Sequence, residues 1–471
     1  MARQACILRT IAALNTALML FVLCSFVQAA DNRSSQDSAT QPLAGNYALR
    51  VVTNAGQQFV SNSAASPAGS RLFLPPVKYP TGGYDPYSVA IADVNADGLP
   101  DLLVANQEQF GTESSVGVLL GNGDGTFQKA VTYDAGGISA YTIVVVDVNA
   151  DGHPDLLVAD GCSSGTYCSP DGVLAVLLGN GDGTFQAAQT YDTGGSDIYH
   201  SNVAVADLNG DHKLDVAIAH GCGGTTCSTG SVSVLLGDGT GGFGPATTYA
   251  SGGNGASWVA IADMNGDHKL DLVTVNWCSA LCGTSTPIEG SVGVLLGKGD
   301  GTFQTAVSYP SGGNGSRSVA LSDVNGDGKI DVLTASCGPD ACAPGFPGGT
   351  AAVLLGNGNG TLQSAVAYMA GDSPDAILAT DLNGDGKLDL VVGNWGTTNG
   401  ATNQGSISVL AGTGSGTFQT SRTLLTGGNE VPSIAAADLN GDGKADVVTA
   451  NVAGSFHYNT PGSVSVLLNN R

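Results

Sequence analysis

The chain has 471 residues, of which 70 are Gly, 12% are charged and 6% are aromatic, and its formal net charge is −24. Globular proteins average about 7% Gly and about 25% charge, so glycine is doubled while charge is halved and skewed to one sign. An apolar share of 42% supports a large core and excludes a disordered acidic tail, and 16 Lys plus Arg are too few for the basic stripe that nucleic acid requires.

At the N-terminus, Arg3 and Arg9 accompany an apolar run from Ile11 to Val27, closed by the small residues Ala29 and Ala30. This pattern predicts a secretory signal peptide over residues 1–30. The alternatives are a retained membrane anchor, or a lipid anchor on Cys24; Leu23 stands where the latter needs a small residue. No second apolar stretch of spanning length follows, so the mature chain is expected to be secreted or in the cell envelope, without a membrane span. Residues 31–71, rich in Ala, Ser, Gln and Asn, read as a flexible leader.

From residue 72 to 471 the chain repeats itself. The string DxNxDxxxD occurs seven times: DVNADGLPD from Asp93, DVNADGHPD from Asp147, DLNGDHKLD from Asp207, DMNGDHKLD from Asp263, DVNGDGKID from Asp323, DLNGDGKLD from Asp381 and DLNGDGKAD from Asp438. Successive starts lie 54 to 60 residues apart, a period that points to a propeller or a solenoid. Within one period, runs such as SVAIAD (Ser88–Asp93), LLVAN (Leu102–Asn106), SVGVLLG (Ser115–Gly121) and FQKAVTY (Phe127–Tyr133) are short, rich in Val, Ile and Leu, and bounded by Gly, Asn and Asp. Four such runs per repeat predict four antiparallel strands, and seven repeats predict an all-β, seven-bladed β-propeller.

Phe and Tyr six residues apart mark the fourth strand, as in Phe127/Tyr133, Phe185/Tyr191, Phe243/Tyr249 and Phe303/Tyr309, with Leu362/Tyr368 and Phe418/Leu424 as weaker copies. The last repeat stops at its third strand, Val464–Leu468, whereas a surplus copy, Phe73/Tyr79, precedes the first complete repeat. The N-terminal strand is therefore expected to complete the last blade and close the ring, which removes exposed sheet edges.

The loops carry the most specific chemistry. Their first positions are Asp93, Asp147, Asp207, Asp263, Asp323, Asp381 and Asp438; their third positions are Asn95, Asn149, Asn209, Asn265, Asn325, Asn383 and Asn440. The fifth are Asp97, Asp151, Asp211, Asp267, Asp327, Asp385 and Asp442, and the ninth are Asp101, Asp155, Asp215, Asp271, Asp331, Asp389 and Asp446. With the carbonyl at position 7, this all-oxygen set suits Ca²⁺, which takes six to eight oxygens in a flexible geometry, better than Mg²⁺, which demands an octahedron. Up to seven structural Ca²⁺ ions are expected, the alternative being a metal-free Asx-turn hairpin. An EF-hand shares the opening of the motif but closes with Glu at position 12 between helices, so that reading fails. Position 6 is Gly in five loops and His212 or His268 in the others; a positive φ there would strain the two histidines, making theirs the weakest sites.

The segments SVAIADVNADGLPDLLVAN (Ser88–Asn106) and VLLGNGDGTFQ (Val176–Gln186) resemble the FG-GAP/VCBS repeats of integrin α-subunit propellers and of many secreted bacterial proteins. The resemblance runs from Phe73 to Leu468. It implies calcium in the hairpin between the first two strands of each blade, on the face opposite the usual ligand-binding loops. No inserted adhesion domain, leg domain or membrane helix accompanies the repeats, so integrin partners and signalling are not implied.

Eight cysteines beyond the signal segment form four close pairs, Cys162/Cys168, Cys222/Cys227, Cys278/Cys282 and Cys337/Cys342, each between the second and third strands of a repeat. An even count in an exported chain predicts local disulfides. The same face collects Tyr84, Tyr87, Tyr141, Tyr199, His200, Trp258, Trp277, Arg317, Trp395, His457 and Tyr458. Aromatics there could stack on sugars or anchor a protein, or else pack between blades. The leading expectation is a monomeric, extracellular, calcium-binding adhesion module for a protein or surface glycan. A polysaccharide lyase or hydrolase and a structural envelope or matrix component are the alternatives. Three Asp in each of seven loops commit 21 of the 40 acidic residues to the loops, and there is no Ser-nucleophile elbow or HExxH, so no catalytic residue and no enzyme are expected.

Overall fold

The computed structural model describes residues 72–470 apart from 109–112, 163–171, 196–201, 222–228, 280–288, 339–347, 397–403 and 453–460. These residues belong to one compact unit. Among them, 27 strands form six antiparallel sheets, five of four strands and one of seven. The arrangement is an all-β propeller fold, as the repeats predicted.

The first complete repeat sets the pattern: Pro86–Ala92, Asp101–Asn106, Ser115–Leu119 and Val131–Asp134 pair in sequence order. The second strand is buried at every residue, because neighbouring sheets cover both of its faces. That is why its centre, Leu102–Ala105, is a continuous apolar run and not an alternating one. The hydrophobic clusters draw on consecutive repeats. Leu103 and Val118 pack with Ile143 and Leu156 of the next repeat, and Val448 and Val466 of the last repeat pack with Val89 and Leu102 of the first.

The surplus N-terminal strand behaves as its spacing predicted. Val77–Tyr84 pairs antiparallel with Pro461–Leu467, placing Val77 opposite Val466 and Tyr79 opposite Val464, while Phe73 bridges Asn469. Two other expectations need correction. In place of seven separate sheets, two repeats share the seven-stranded one, because Val307–Ser322 is a single strand of 16 residues. Its first part pairs with Glu289–Leu295 and its second with Asp331–Cys337, with irregular register between Asn314 and Ser318; Asn314 pairs with both Glu289 and Cys337, so the Gly-rich link does not interrupt the ladder here. The fourth strand is also shorter than the FQKAVTY pattern: Phe127 forms only an isolated bridge to Gly121, and the ladder starts at Val131. Gly123 and Gly125, at φ 77° and 80°, turn the chain tightly between them.

The Phe–Tyr spacing finds its meaning between repeats. Tyr79 meets Phe127 edge-on at 5.5 Å, Tyr133 meets Phe185 at 5.5 Å, Tyr191 meets Phe243 at 5.6 Å, Tyr249 meets Phe303 at 5.5 Å and Tyr368 meets Phe418 at 5.7 Å. Tyr309 packs in one cluster with Leu362, and Leu424 in one cluster with Phe73. Each ring of one repeat thus rests on the following repeat, at the edge-to-face geometry aromatic pairs prefer.

One buried position yields a pH prediction. The sixth residue of the second strand is Asn106, Asn276, Asn394 or Asn451 in four repeats, whose Nδ2 donates to Ser115, Ser291, Ser406 and Ser465 of the third strand. In the second repeat the residue is Asp160, whose carboxylate accepts from Ser114 Oγ. Full burial, with a smaller contribution from Asp134, pushes its pKa from the ordinary 3.8 up to about 8. A folded pKa above the unfolded one means that stability falls as pH rises from about 4 to about 8. Asp160→Asn should therefore stabilise the fold at pH 8 by on the order of a few kcal/mol, seen as a higher melting temperature, and do little at pH 4. Equal shifts at both pH values would show that the carboxyl's charge is not the cause.

Candidate functional site

Each DxNxDxxxD loop joins the first and second strands of a repeat and folds around its own carboxylates. In the first loop, Asp93 accepts from the Asp97 and Gly98 amides at 3.2 and 2.8 Å, Asn95 Oδ1 accepts from Asp97 at 3.0 Å, and Asp97 accepts from Leu99 at 2.8 Å. The other six loops repeat these contacts, as at Asp147, Asn149 and Asp151. The ninth residue opens the second strand and is buried: Asp101 Oδ2 accepts from the Val94 amide at 2.9 Å and Oδ1 from the Gly121 amide at 2.7 Å, clasping the loop to the end of the third strand. Burial, opposed by these amides and aided by the neighbouring Asp97 and Asp93, raises the Asp101 pKa to about 6; Asp215, Asp271 and Asp331 reach about 6 for the same reasons.

The glycine turn of one repeat clips the loop of its neighbour. The Gly183 amide donates to Val94 O at 3.0 Å, Gly125 to Leu439 O at 3.0 Å, Gly301 to Leu208 O at 3.0 Å, Gly360 to Met264 O at 2.9 Å and Gly416 to Val324 O at 3.2 Å. Loop geometry and packing between repeats are thereby coupled.

Backbone strain is distributed more widely than the position-6 histidines suggest. His212 and His268 do adopt positive φ, 67° and 63°, matching the glycines of the other loops. Position 4 is left-handed as well: Ala96 and Ala150 stand at φ 60° and 58°, where the later loops have glycines such as Gly210 at 78°. The first four loops each hold one strained non-glycine residue and the last three hold none, so the two histidine loops are not singled out. The signal was present in the sequence, since position 4 is only ever Ala or Gly. A left-handed Ala costs about 1–2 kcal/mol.

The donor chemistry suits a hard cation, being oxygen throughout. As the side chains stand, among the described residues no three His, Cys, Asp or Glu groups form a set that could hold a metal ion, because the loop carboxylates turn onto amides. In five loops a lysine at position 7 also rests on the outer oxygen of position 5: Lys213–Asp211 at 3.2 Å, Lys269–Asp267 at 3.5 Å, Lys329–Asp327 at 2.7 Å, Lys387–Asp385 at 3.2 Å and Lys444–Asp442 at 2.8 Å. The Lys329 and Lys444 hydrogen bonds hold Asp327 and Asp442 below the usual carboxylate range. A cation would have to draw the Asp of positions 1 and 5 together and displace that ammonium.

At the opposite end of the strands, the aromatic residues are more enclosed than their sequence positions suggest. Tyr87, Tyr141 and Trp258 are buried, the two tyrosines meeting edge-on at 5.2 Å. Trp277, Trp395 and Arg317 are partly exposed, and Arg317 pairs with the fully buried Asp375. Asp375 and Glu430, both buried, were not anticipated on this face. Tyr199, His200, His457 and Tyr458 lie outside the described residues, as do Cys168, Cys222, Cys227, Cys282 and Cys342. Cys278 and Cys337 are each disulfide-bonded. Among the described residues, no helix is long and apolar enough to cross a membrane.

The FG-GAP-like repeat family matches residues 93–158, 164–218, 223–274, 281–334 and 381–449, more than half of the chain. No curated protein matches. Among solved structures, the V. cholerae biofilm matrix protein Bap1 is similar at 13% identity and a TM-score of 0.41, over 89% of this chain and 91% of that one. The rhamnogalacturonan lyase PL11 of Bacillus licheniformis is similar at 13% identity and a TM-score of 0.35, over 84% of this chain and 91% of that one.

Proposed function

From a chain that belongs to the FG-GAP-like repeat family, we propose a secreted or envelope-located, calcium-stabilised propeller of seven blades. It acts as a monomeric binding module for an extracellular glycan or protein on the face opposite the acidic loops. The seven-blade count counts the seven-stranded sheet as two blades sharing Val307–Ser322. Three features support a closed ring: the strand pairing of the two chain ends, the contact of the last repeat with the first, and the Tyr–Phe or equivalent contacts from each repeat to the next.

The observation that carries the calcium reading is the sevenfold recurrence of an oxygen-only donor set on one face. Asp93, Asn95, Asp97 and Asp101, and their counterparts in the other six loops, would hold the ion. Bound calcium would neutralise charge that now falls on Lys and backbone amides. A binding role draws on the other face, where the segments between second and third strands vary in length and sequence, while the acidic loops keep one length and one set of Asp and Asn positions. Local pairs Cys162/Cys168, Cys222/Cys227, Cys278/Cys282 and Cys337/Cys342 would stiffen those segments.

The exported protein, applied to a glycan array and to a pull-down from extracellular extract, should retain one glycan class or one protein while leaving plant and bacterial polysaccharides uncut. Depolymerisation of any of these would replace the binding reading with the lyase or hydrolase alternative.

A further inference from the structure

In a repeat protein the scaffold's needs recur, so positions where the copies diverge carry separate information. Six residues before the first loop Asp, four repeats carry Tyr87, Tyr141, Arg317 and Asp375, where the others have Ser or Pro. Six residues after the ninth-position Asp, two repeats carry Trp277 and Trp395, where others have Gly, Cys, Val or Gln. These exceptional residues meet one another. Arg317 Nη1 donates to Asp375 Oδ1, and Trp395 Nε1 donates to Asp375 Oδ2. The guanidinium carbon stands 4.9 Å from the Trp277 ring centre and 5.6 Å from that of Trp395, within cation–π range of both. Trp395 also joins Tyr87, Tyr141 and Val452 in one apolar cluster, so the first, second, fourth, fifth, sixth and seventh repeats all contribute.

We propose that the Arg317–Asp375 pair is a proton-operated latch at this end of the propeller. When ionised, Asp375 holds the guanidinium and the Trp395 indole by charge-assisted hydrogen bonds, tying three successive repeats together at Trp277, Arg317 and Trp395. When protonated, the carboxyl loses the charge that strengthens those bonds, and one of its two oxygens becomes an O–H donor facing donors that cannot accept it. Arg317 is then released from between the tryptophans, and the end of the propeller from which the variable segments emerge loosens.

The groups facing Asp375 place the switch near neutrality. Burial raises its pKa to about 7, Arg317 and the Trp395 N–H oppose that rise, and the Glu430 charge adds to it. Tyr87 also faces the pair, but burial lifts its hydroxyl well above its ordinary range, so it stays neutral through the transition. The latch goes beyond the binding reading, since it would couple ambient pH to the geometry of that face whatever ligand it takes.

The three tryptophans, Trp258, Trp277 and Trp395, make the test direct. Indole ¹⁵N–¹H resonances of the full exported chain are followed from about pH 5.5 to about pH 8.5, a range that brackets neutrality. The Trp395 resonance should titrate with a midpoint near 7, Trp277 should follow, and Trp258, buried in a separate apolar cluster, should stay constant. Asp375→Asn should abolish the titration, and Asp160→Asn should leave it in place. A Trp395 resonance that is flat over this range, or one that still titrates in Asp375→Asn, overturns the proposal. Should Asp375→Asn fail to fold, Trp395→Phe identifies the resonance in an otherwise native chain. If that change removes no signal titrating near pH 7, the titrating indole is not Trp395 and the proposal is overturned.

Discussion

Deleting residues 72–84 will abolish the single cooperative melt of the propeller and leave a protein that aggregates. This segment supplies the fourth strand of the last sheet, with Val77, Lys78, Tyr79 and Pro80 opposite Val466, Ser465, Val464 and Ser463. Its flank is tied down by the Leu74 amide to Leu468 O and the Asn470 amide to Leu72 O, each at 2.8 Å. Without it, Pro461–Leu467 becomes an unpaired edge whose buried Val464 and Val466 face water, a template for pairing with other chains. A gentler version isolates the packing. Phe73, 6% exposed, shares a cluster with Leu424, Ile434 and Val447, so Phe73→Ala should cost about 3–5 kcal/mol. Differential scanning calorimetry with light scattering reads both variants. A deletion that melts at the parental temperature would mean that the N-terminal strand is an ornament on a sheet stable without it.

Chelation should be nearly as damaging. A ligand bound only to the native state stabilises by about 2.7 kcal/mol per site at a hundredfold excess over its dissociation constant, and several such sites together rival the whole stability of a domain, about 5–15 kcal/mol. Each empty loop would keep three Asp close together, one of them buried. The Gly183–Val94 type of contact passes any loosening of one loop to the next repeat. Melting with excess EDTA should therefore show a large fall in Tm that added Ca²⁺ reverses and added Mg²⁺ reverses less well. An unchanged melt would leave the Asx-turn hairpin as the better description of these loops.

Much of this was legible because the repeat imposes itself at every scale. The DxNxDxxxD string located the hairpin between the first two strands, and the missing and surplus strands matched because a propeller leaves no sheet edge unpaired where its ends meet. What escaped the sequence depends on how successive repeats are set against one another. The strand Val307–Ser322 is continuous because Asn314 pairs with both Glu289 and Cys337, a cross-strand match that local composition does not decide. The ninth-position Asp reads as one more cation ligand in the string, yet folding buries it and turns both its oxygens onto amides from two different segments. Arg317 and Asp375 are 58 residues apart, and only the convergence of first strands from neighbouring repeats brings them together. By position Trp258 could anchor a ligand or pack between blades; alternation along its strand points it between repeats, where it is 5% exposed.

The central claim is that the acidic face of this propeller is coordination chemistry. Equilibrium dialysis of the purified, exported chain against Ca²⁺, followed by elemental analysis, tests it most directly. Seven loops with the full donor set predict close to seven calcium ions per chain, falling by one with each Asp-to-Ala change at a fifth position. A chain that emerges with no calcium, and whose loop variants bind no less than the parent, would contradict it.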